Sequence, residues 1–283
     1  MSPGQKVQPI LIGLRDGGAA KVGGLTDERG HMALADSSAE QRMIWDEIAA
    51  GYRPEDAVET GEITVTLDFL ADLTGDGTAL EFAVGGGRIA VPLHRRGVQV
   101  NGMDVSPMMI DVLHQAVSAA EVPASVGSMA TDDGPGRDYQ IVYIVYNAIS
   151  CLLHQDEQIA CFHNAARHLR PGGYFVNELW IPELRKLPSG QTLVPNNVSD
   201  RLLIIDSYDL VTQRVFSHHY DLQDGHVTHA GGTPHRYAWP SELDVMAKMA
   251  GFELSARYAN WDKSEFTEDS KSAISVWRKP LKP

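Results

Sequence analysis

The chain has 283 residues, 43% of them hydrophobic and 22% charged, which suits one large αβ domain with an insertion. Its formal net charge of −13 argues against a nucleic-acid partner, because neutralising phosphates takes a surplus of Lys and Arg. No apolar run approaches the roughly 20 residues that cross a bilayer, so no membrane partner is expected.

The first 38 residues are rich in glycine, show little periodicity and read as a flexible N-terminal extension. Their single apolar run, ILIGL, is followed by Arg15 and Asp16 and is too brief for a secretory core, so a cytoplasmic protein is expected. A helix is expected over 38–52, ending at Tyr52 and carrying Met43, Ile44 and Ile48 on a mixed face, and a second over 61–73. TGDGT at 74–78 is a turn. Then come a strand at 79–84, a glycine turn, a helix at 87–96 stopped by Gly97, and a strand at 98–103 that leads to Asp104. Ser106 and Pro107 open the next helix, with Met108, Met109, Val112, Leu113, Ala116 and Val117 as its buried stripe.

A short strand is expected at 123–127, a turn at 131–138 and an apolar strand at 139–147. A helix over 155–169 follows, then a turn RPGG at 170–173 and a strand at 174–181. Between 183 and 238 the helical repeat vanishes. LLIIDSYD, VTQRVFSHHYDL and HVTHAGGTPHRYAW read as antiparallel strands, with Asp224-Gly225 as a hairpin turn. The chain closes with a helix over 240–250 and two antiparallel strands, FELSARYANW and AISVWRK. The fold class is α/β: a doubly wound, Rossmann-like seven-stranded sheet with an antiparallel C-terminal hairpin and an inserted antiparallel β lid. Residues 39–182 and 239–283 form the sheet domain, and 183–238 form the lid over a bound substrate. Cys151 and Cys161 are the only cysteines, read as free thiols, and no spacing suits a metal.

The chemistry concentrates at 79–106. Gly85, Gly86 and Gly87 permit a tight turn and let a ligand approach the main chain, and Asp104 ends the second strand where a carboxylate can hold a ribose diol. Two nucleosides fit that much. Gly85-x-Gly87-x-x-Ala90 satisfies the dinucleotide pattern, which keeps an NAD(P)-dependent oxidoreductase as an alternative. Against it stand the two helices before the first strand, the lack of a second mononucleotide-binding half, and Glu81 four residues before Gly85.

The run Glu81-Phe-Ala83-Val-Gly85-Gly-Gly87 resembles motif I of class I S-adenosylmethionine-dependent methyltransferases. Asp104-Val105-Ser106-Pro107-Met108, HLRPGGYFV at 168–176, AWPSELDVMAKMAGFEL at 238–254 and the closing SVWRK fit the same resemblance, in particular to actinobacterial small-molecule methyltransferases. It covers about residues 40–280. Ala83 stands where the motif has its first glycine, Gly86 where Thr or Ser is frequent, and Gly127-Ser128-Met129 where Gly-Asp-Met is frequent.

The resemblance implies S-adenosyl-L-methionine as cofactor. Glu81, Ala83, Gly85 and Gly87 would surround its amino acid part, Asp104 and Val105 its ribose, Ser128 and Met129 its adenine, with Asn147 where cofactor and substrate meet. It implies methyl transfer to N or O of a small-molecule, specialised-metabolite acceptor. A cofactor-binding protein of this type with a non-methylating role is a further alternative. For a proton-accepting residue the candidates are His154, His219 and Tyr52, with His218, His229 and His235 also in the lid region and Tyr146 and Trp180 as pocket walls. A homodimer is an arrangement the sequence leaves open.

Overall fold

The computed structural model describes residues 37–53, 61–223 and 226–281. The extension expected over 1–38, apart from Ser37 and Ser38, and the Asp224-Gly225 turn lie outside the described residues.

Seven strands form one sheet: β1 (Thr78–Phe82), β2 (Gln99–Asp104), β3 (Ala124–Val126), β4 (Tyr139–Ile144), β5 (Leu169–Trp180), β10 (Glu253–Tyr258) and β11 (Ser272–Arg278). Their order is β10-β11-β5-β4-β1-β2-β3. β1 pairs in parallel with both β2 and β4, so the chain starts in the middle of the sheet and winds outward both ways. The crevice outside the carboxyl ends at such a reversal is where open αβ sheets hold ligands. β11 runs antiparallel between β5 and β10, as the closing hairpin pattern anticipates. Four further strands, β6 (Leu193–Val198), β7 (Leu202–Asp209), β8 (Arg214–Gln223) and β9 (His226–Arg236), make a separate antiparallel sheet in that order.

Among the described residues six α-helices accompany the sheets: α1 (Ser38–Ala49), α2 (Gly61–Thr74), α3 (Ala90–Arg95), α4 (Pro107–Ala116), α5 (Gln155–His168) and α6 (Pro240–Met249). One buried cluster gathers Leu67, Leu70, Val91, Leu93 and Leu113 from α2, α3 and α4 against Ile141, Tyr143 and Val176 of the sheet. A second large cluster packs Phe162 of α5 and Leu243 of α6 on Phe175 and Trp277, with Phe162 edge-on to Phe175 at 5.0 Å and to Trp277 at 5.1 Å. Among the described residues no helix is long and apolar enough to cross a membrane.

Several boundaries differ from the sequence reading, each for a local reason. α3 begins at Ala90 and not at 87, because Gly87 has φ +84 and cannot enter a right-handed helix. β4 ends at Ile144, short of 147, because Tyr146 and Asn147 both take left-handed angles, φ 51 and 59. Arg170–Gly173 is not a turn between elements but part of β5, where the pairing with β4 slips between Tyr139 and Ile141. The second sheet has a fourth strand, β6, which Pro195 and two asparagines conceal and which lies at the edge where proline is tolerated. On α4 Met108 is 45% exposed, and Ile110 takes the buried place expected of it.

Candidate functional site

The turn after β1 is built from backbone angles that side chains disfavour. Ala83 has φ 56, Gly85 φ 52 and Gly87 φ 84. A Cβ on Gly85 would meet nothing within 4 Å, so this residue faces open space. A Cβ on Gly87 would strike Leu113 and lie 2.7 Å from Val91, so Gly87 is what lets the turn close onto α3 and α4. Gly86 is tight too: its Cβ would lie 3.1 Å from Tyr52 and from Val112.

Two buried carboxylates stand at this turn. Glu81, 2% exposed, accepts a 2.9 Å hydrogen bond from the Tyr143 hydroxyl on the neighbouring strand. The register that sets Glu81 opposite Tyr143 makes that contact. Burial raises the Glu81 carboxyl to about 8, with the Tyr143 bond pulling the other way. Asp104, 7% exposed, accepts from Gly85 N at 2.8 Å through one oxygen and from Ser106 N at 2.9 Å through the other. Burial raises it to about 6, against the lowering effect of those two N–H groups. Among the described residues neither carboxylate has a cationic partner. Ser106 caps α4 by accepting from Met109 N at 3.0 Å and donates to Asp46 of α1 at 2.6 Å.

Glu81, Gly85 and Asp104 open on a cavity of about 520 Å³. α1 walls one side with Gln41, Trp45 and Ile48, and Tyr52 follows beyond its end. The helix is tied down at its start, where Ser37 donates to Glu157 from its backbone N at 2.6 Å and from its hydroxyl at 2.9 Å. Past β4, Tyr146 and Asn147 form a strained rim. Tyr146 N donates to Glu178 at 2.6 Å, and the Arg88 guanidinium lies 5.2 Å from the Tyr146 ring.

The second sheet closes the opposite side. Ile204 of β7, Ser217 and His219 of β8, and Thr233 and His235 of β9 alternate onto the face that lines the cavity, with Asn196 from β6. Asp206, 7% exposed, lies on the same face behind them and accepts from Ser217 at 2.6 Å and from Asn196 at 2.8 Å. Burial raises its carboxyl, while the adjacent hydroxyl, amide and histidines lower it. Arg236 anchors this sheet: 4% exposed, it bonds Gln158 of α5, Glu242 of α6 at 2.7 Å and Gln213 at 3.0 Å.

Most residues singled out from the sequence meet at this cavity. Glu81, Ala83, Gly85, Asp104, Val105, Ser128, Met129 and Asn147 line it, as do Tyr52, Tyr146, Trp180, His219 and His235. Gly87 does not; it packs beneath the turn. His154 does not; it is the N-cap residue of α5 and its Nε2 faces Arg214 at 3.3 Å. His218 points to the other face of β8, 3.0 Å from Ser207 and 4.7 Å from the Phe216 ring. Cys151 also lines the cavity, but burial pushes its thiol up to about 12, which leaves it inert as a nucleophile. Sequence reasoning missed Gln41 and Trp45 of α1, and it missed Tyr143, whose partner emerges only from strand register. Among the described residues no group of three or more His, Cys, Asp or Glu side chains could hold a metal ion.

Comparison with known proteins agrees with this geometry. Residues 79–173 match a family described as a methyltransferase domain. The structure of the CcbJ methyltransferase from Streptomyces caelestis is 32% identical, covers 85% of this chain and 99% of its own, and superposes with a TM-score of 0.73. The cypemycin N-terminal methyltransferase of a Streptomyces species is 23% identical over 202 residues, 70% of this chain and 82% of that protein. The S-adenosylmethionine-bound structure of CalS10, an amino pentose methyltransferase from Micromonospora echinaspora, shares the fold at 18% identity and a TM-score of 0.56, covering 88% of this chain and 99% of that one.

Proposed function

The chain belongs to the class I S-adenosylmethionine-dependent methyltransferases, and from that premise we propose that it methylates an amine nitrogen on a small, polar specialised metabolite. The observation that carries this reading is the cavity of about 520 Å³ between the glycine turn and the inner face of the second sheet. A space of that size suits a cofactor and a small acceptor together.

The residues present fit this cofactor. Gly85 leaves room at the main chain, Asp104 lines the cavity as a hydrogen-bond acceptor for ribose hydroxyls, and the buried Glu81 suits an α-ammonium group. Against the oxidoreductase alternative, the chain after β5 forms an antiparallel second sheet and a closing hairpin where a second mononucleotide-binding half would stand. When bound, S-adenosylmethionine supplies an electrophilic methyl group on a sulfonium.

The chain's own work is then alignment, water exclusion and proton removal. Asn147 and Tyr146, held on a strained rim, set the boundary between the cofactor end and the acceptor end. An amine arrives as an ammonium ion and must lose a proton before it can attack. His219 is the base in this reading, since it lines the cavity and Asp206 lies on the same sheet face to stabilise the imidazolium. One relative is named an N-terminal methyltransferase and another an amino pentose methyltransferase, names consistent with an amine-bearing acceptor.

Thermal shift with S-adenosylhomocysteine beside NADH tests the cofactor half. Ligand at a hundredfold excess over Kd adds about 2.7 kcal/mol of stability. A shift with the first ligand, lost in Asp104→Ala, is expected; a shift with NADH alone would sink the reading. Release of S-adenosylhomocysteine against a panel of amino sugars, amino acids and short peptides with free N-termini tests the acceptor half.

A further inference from the structure

A chain of hydrogen bonds crosses from the rim of the main sheet into the second sheet, and its direction can be worked out atom by atom. Trp180 N lies 3.1 Å from Asn147 Oδ1. A backbone N–H only donates, so the Asn147 amide is oriented with its oxygen toward Trp180 and its Nδ2 toward Ser150 Oγ, 3.0 Å away. Ser150 Oγ therefore accepts from Asn147. Its one hydrogen remains to be placed.

Ser150 is 1% exposed, and among the described residues the other partner of its hydroxyl is His235 Nδ1 at 3.0 Å. Placing the hydrogen there leaves no buried hydroxyl unsatisfied; placing a proton on Nδ1 would strand it. The Cys151 thiol, 4.0 Å from the same nitrogen, is also a donor, since burial keeps it protonated. Nδ1 is thus an acceptor, and neutral His235 carries its proton on Nε2. That nitrogen lies 2.8 Å from Thr233 Oγ1, which accepts. Among the described residues Thr233 Oγ1 has no other partner, and Thr233 lines the cavity.

We infer that the directed chain Asn147–Ser150–His235–Thr233 presents the Thr233 hydroxyl to the acceptor as a hydrogen-bond donor, with His235 a positioning residue and not the base. The proposal rests on the methyl-transfer reading for the identity of the acceptor side. It adds a demand on the substrate: beside its reacting nitrogen the acceptor carries an oxygen that accepts a hydrogen bond, such as a hydroxyl, ether or carbonyl. It also divides labour between two histidines of one sheet face. His219 is left to take the proton, because both ring nitrogens of His235 are committed. Its first member, Asn147, stands at the junction with the cofactor end, so the acceptor's oxygen and the cofactor cradle are registered against each other through fixed hydrogen bonds.

Long-range proton–nitrogen NMR on the full chain labelled with 15N-histidine reads the tautomer directly, with His235→Gln identifying the signal. The expected spectrum of the protein without cofactor at neutral pH shows His235 with Nε2 protonated and Nδ1 bare, and Ser150→Ala erases that preference. A proton on Nδ1, or a spectrum indifferent to Ser150→Ala, overturns the chain. On an acceptor found in the amine panel, Thr233→Val should raise KM about tenfold with kcat nearly held, and Thr233→Ser should restore it. An unchanged KM overturns the donor assignment. Should no amine in the panel turn over, the methyl-transfer reading is what fails, and the His235 spectrum still decides the chain.

Discussion

Ser37 and Glu157 lie 120 residues apart and hold each other through three contacts, Ser37 N to Oε1 at 2.6 Å and Ser37 Oγ to both carboxylate oxygens at 2.9 Å. Both residues are buried, and Glu157 also accepts from His154 N at 3.0 Å to cap α5. The contact fastens the start of α1 beside the cavity. Glu157→Ala should cost about 2–4 kcal/mol in urea unfolding, from lost charge-assisted bonds and a lost cap. Ser37→Ala should cost less and still weaken binding of S-adenosylhomocysteine several-fold, measured by calorimetry. Wild-type affinity in both variants would mean that α1 is not part of the grip.

The raised carboxyls give a pH dependence of defined sign. Glu81 in the folded chain sits at about 8 against an ordinary 4.5, and Asp104 at about 6 against 3.8. Between those values the folded state holds protons that the unfolded state has released, so stability without ligand falls as pH rises from about 4 to 8. Glu81→Gln should flatten the upper part of that slope and abolish cofactor binding. Binding of a cationic amino acid moiety should expel a proton from Glu81 near neutral pH, detected as a dependence of the calorimetric heat on the buffer's ionisation enthalpy.

His235 acts in the opposite sense. Burial lowers it to about 4, so between the ordinary 6.5 and that value the unfolded chain is the more protonated state, and stability falls as pH drops through the window. His235→Gln should remove that acid-side loss in unfolding curves taken from pH 7 down to pH 4.

Two substitutions at the turn should act in opposite directions. Ala83 adopts φ 56, an angle that costs a side-chain-bearing residue about 1–2 kcal/mol. Ala83→Gly relieves it at the expense of unfolded-chain entropy, for a net gain of about 0.5–1 kcal/mol in stability. Gly87→Ala adds a methyl against Leu113 and Val91 at φ 84 and should lose about 2–4 kcal/mol. Differential scanning calorimetry on both decides the matter, and equal melting points would contradict the described turn.

Arg236 should prove local in its effect. Arg236→Met strips its hydrogen bonds to Gln158, Gln213 and Glu242, at a cost of roughly 2–4 kcal/mol for a largely buried pair. Amide hydrogen exchange should quicken in β8 and β9 while β1 and β4 keep their protection. Uniform quickening across both sheets would contradict a separate anchorage for the second sheet.

What the sequence discloses here is what lies close along the chain. The apolar run into the glycines, Asp104 at the end of β2, and the Ser106-Pro107 helix start are patterns of a few neighbours, and each takes its expected place. Contacts set by distant pairing were hidden. Glu157 reads as an ordinary acid in a first helical turn until Ser37 is seen beside it. His218 and His219 are adjacent, and only the register of β8 against β7 and β9 turns the second inward; a slip of one residue would exchange them. β6 escaped notice because edge position, and not side-chain pattern, makes it a strand.

Glu157 and Gln158 are consecutive residues in the first turn of α5, one gripping the helix beside the glycine turn, the other gripping Arg236 of the second sheet. Their backbones differ by about 1.5 Å along the axis, so a tilt of that turn is felt at both walls together. The two halves of the cavity therefore share one gatepost. Widening acceptor scope by altering this turn would slacken the cofactor side as well. Changes at Ile204 or Ser217, on the inner sheet face and outside both this turn and the Asn147–Thr233 chain, should reshape the acceptor side alone.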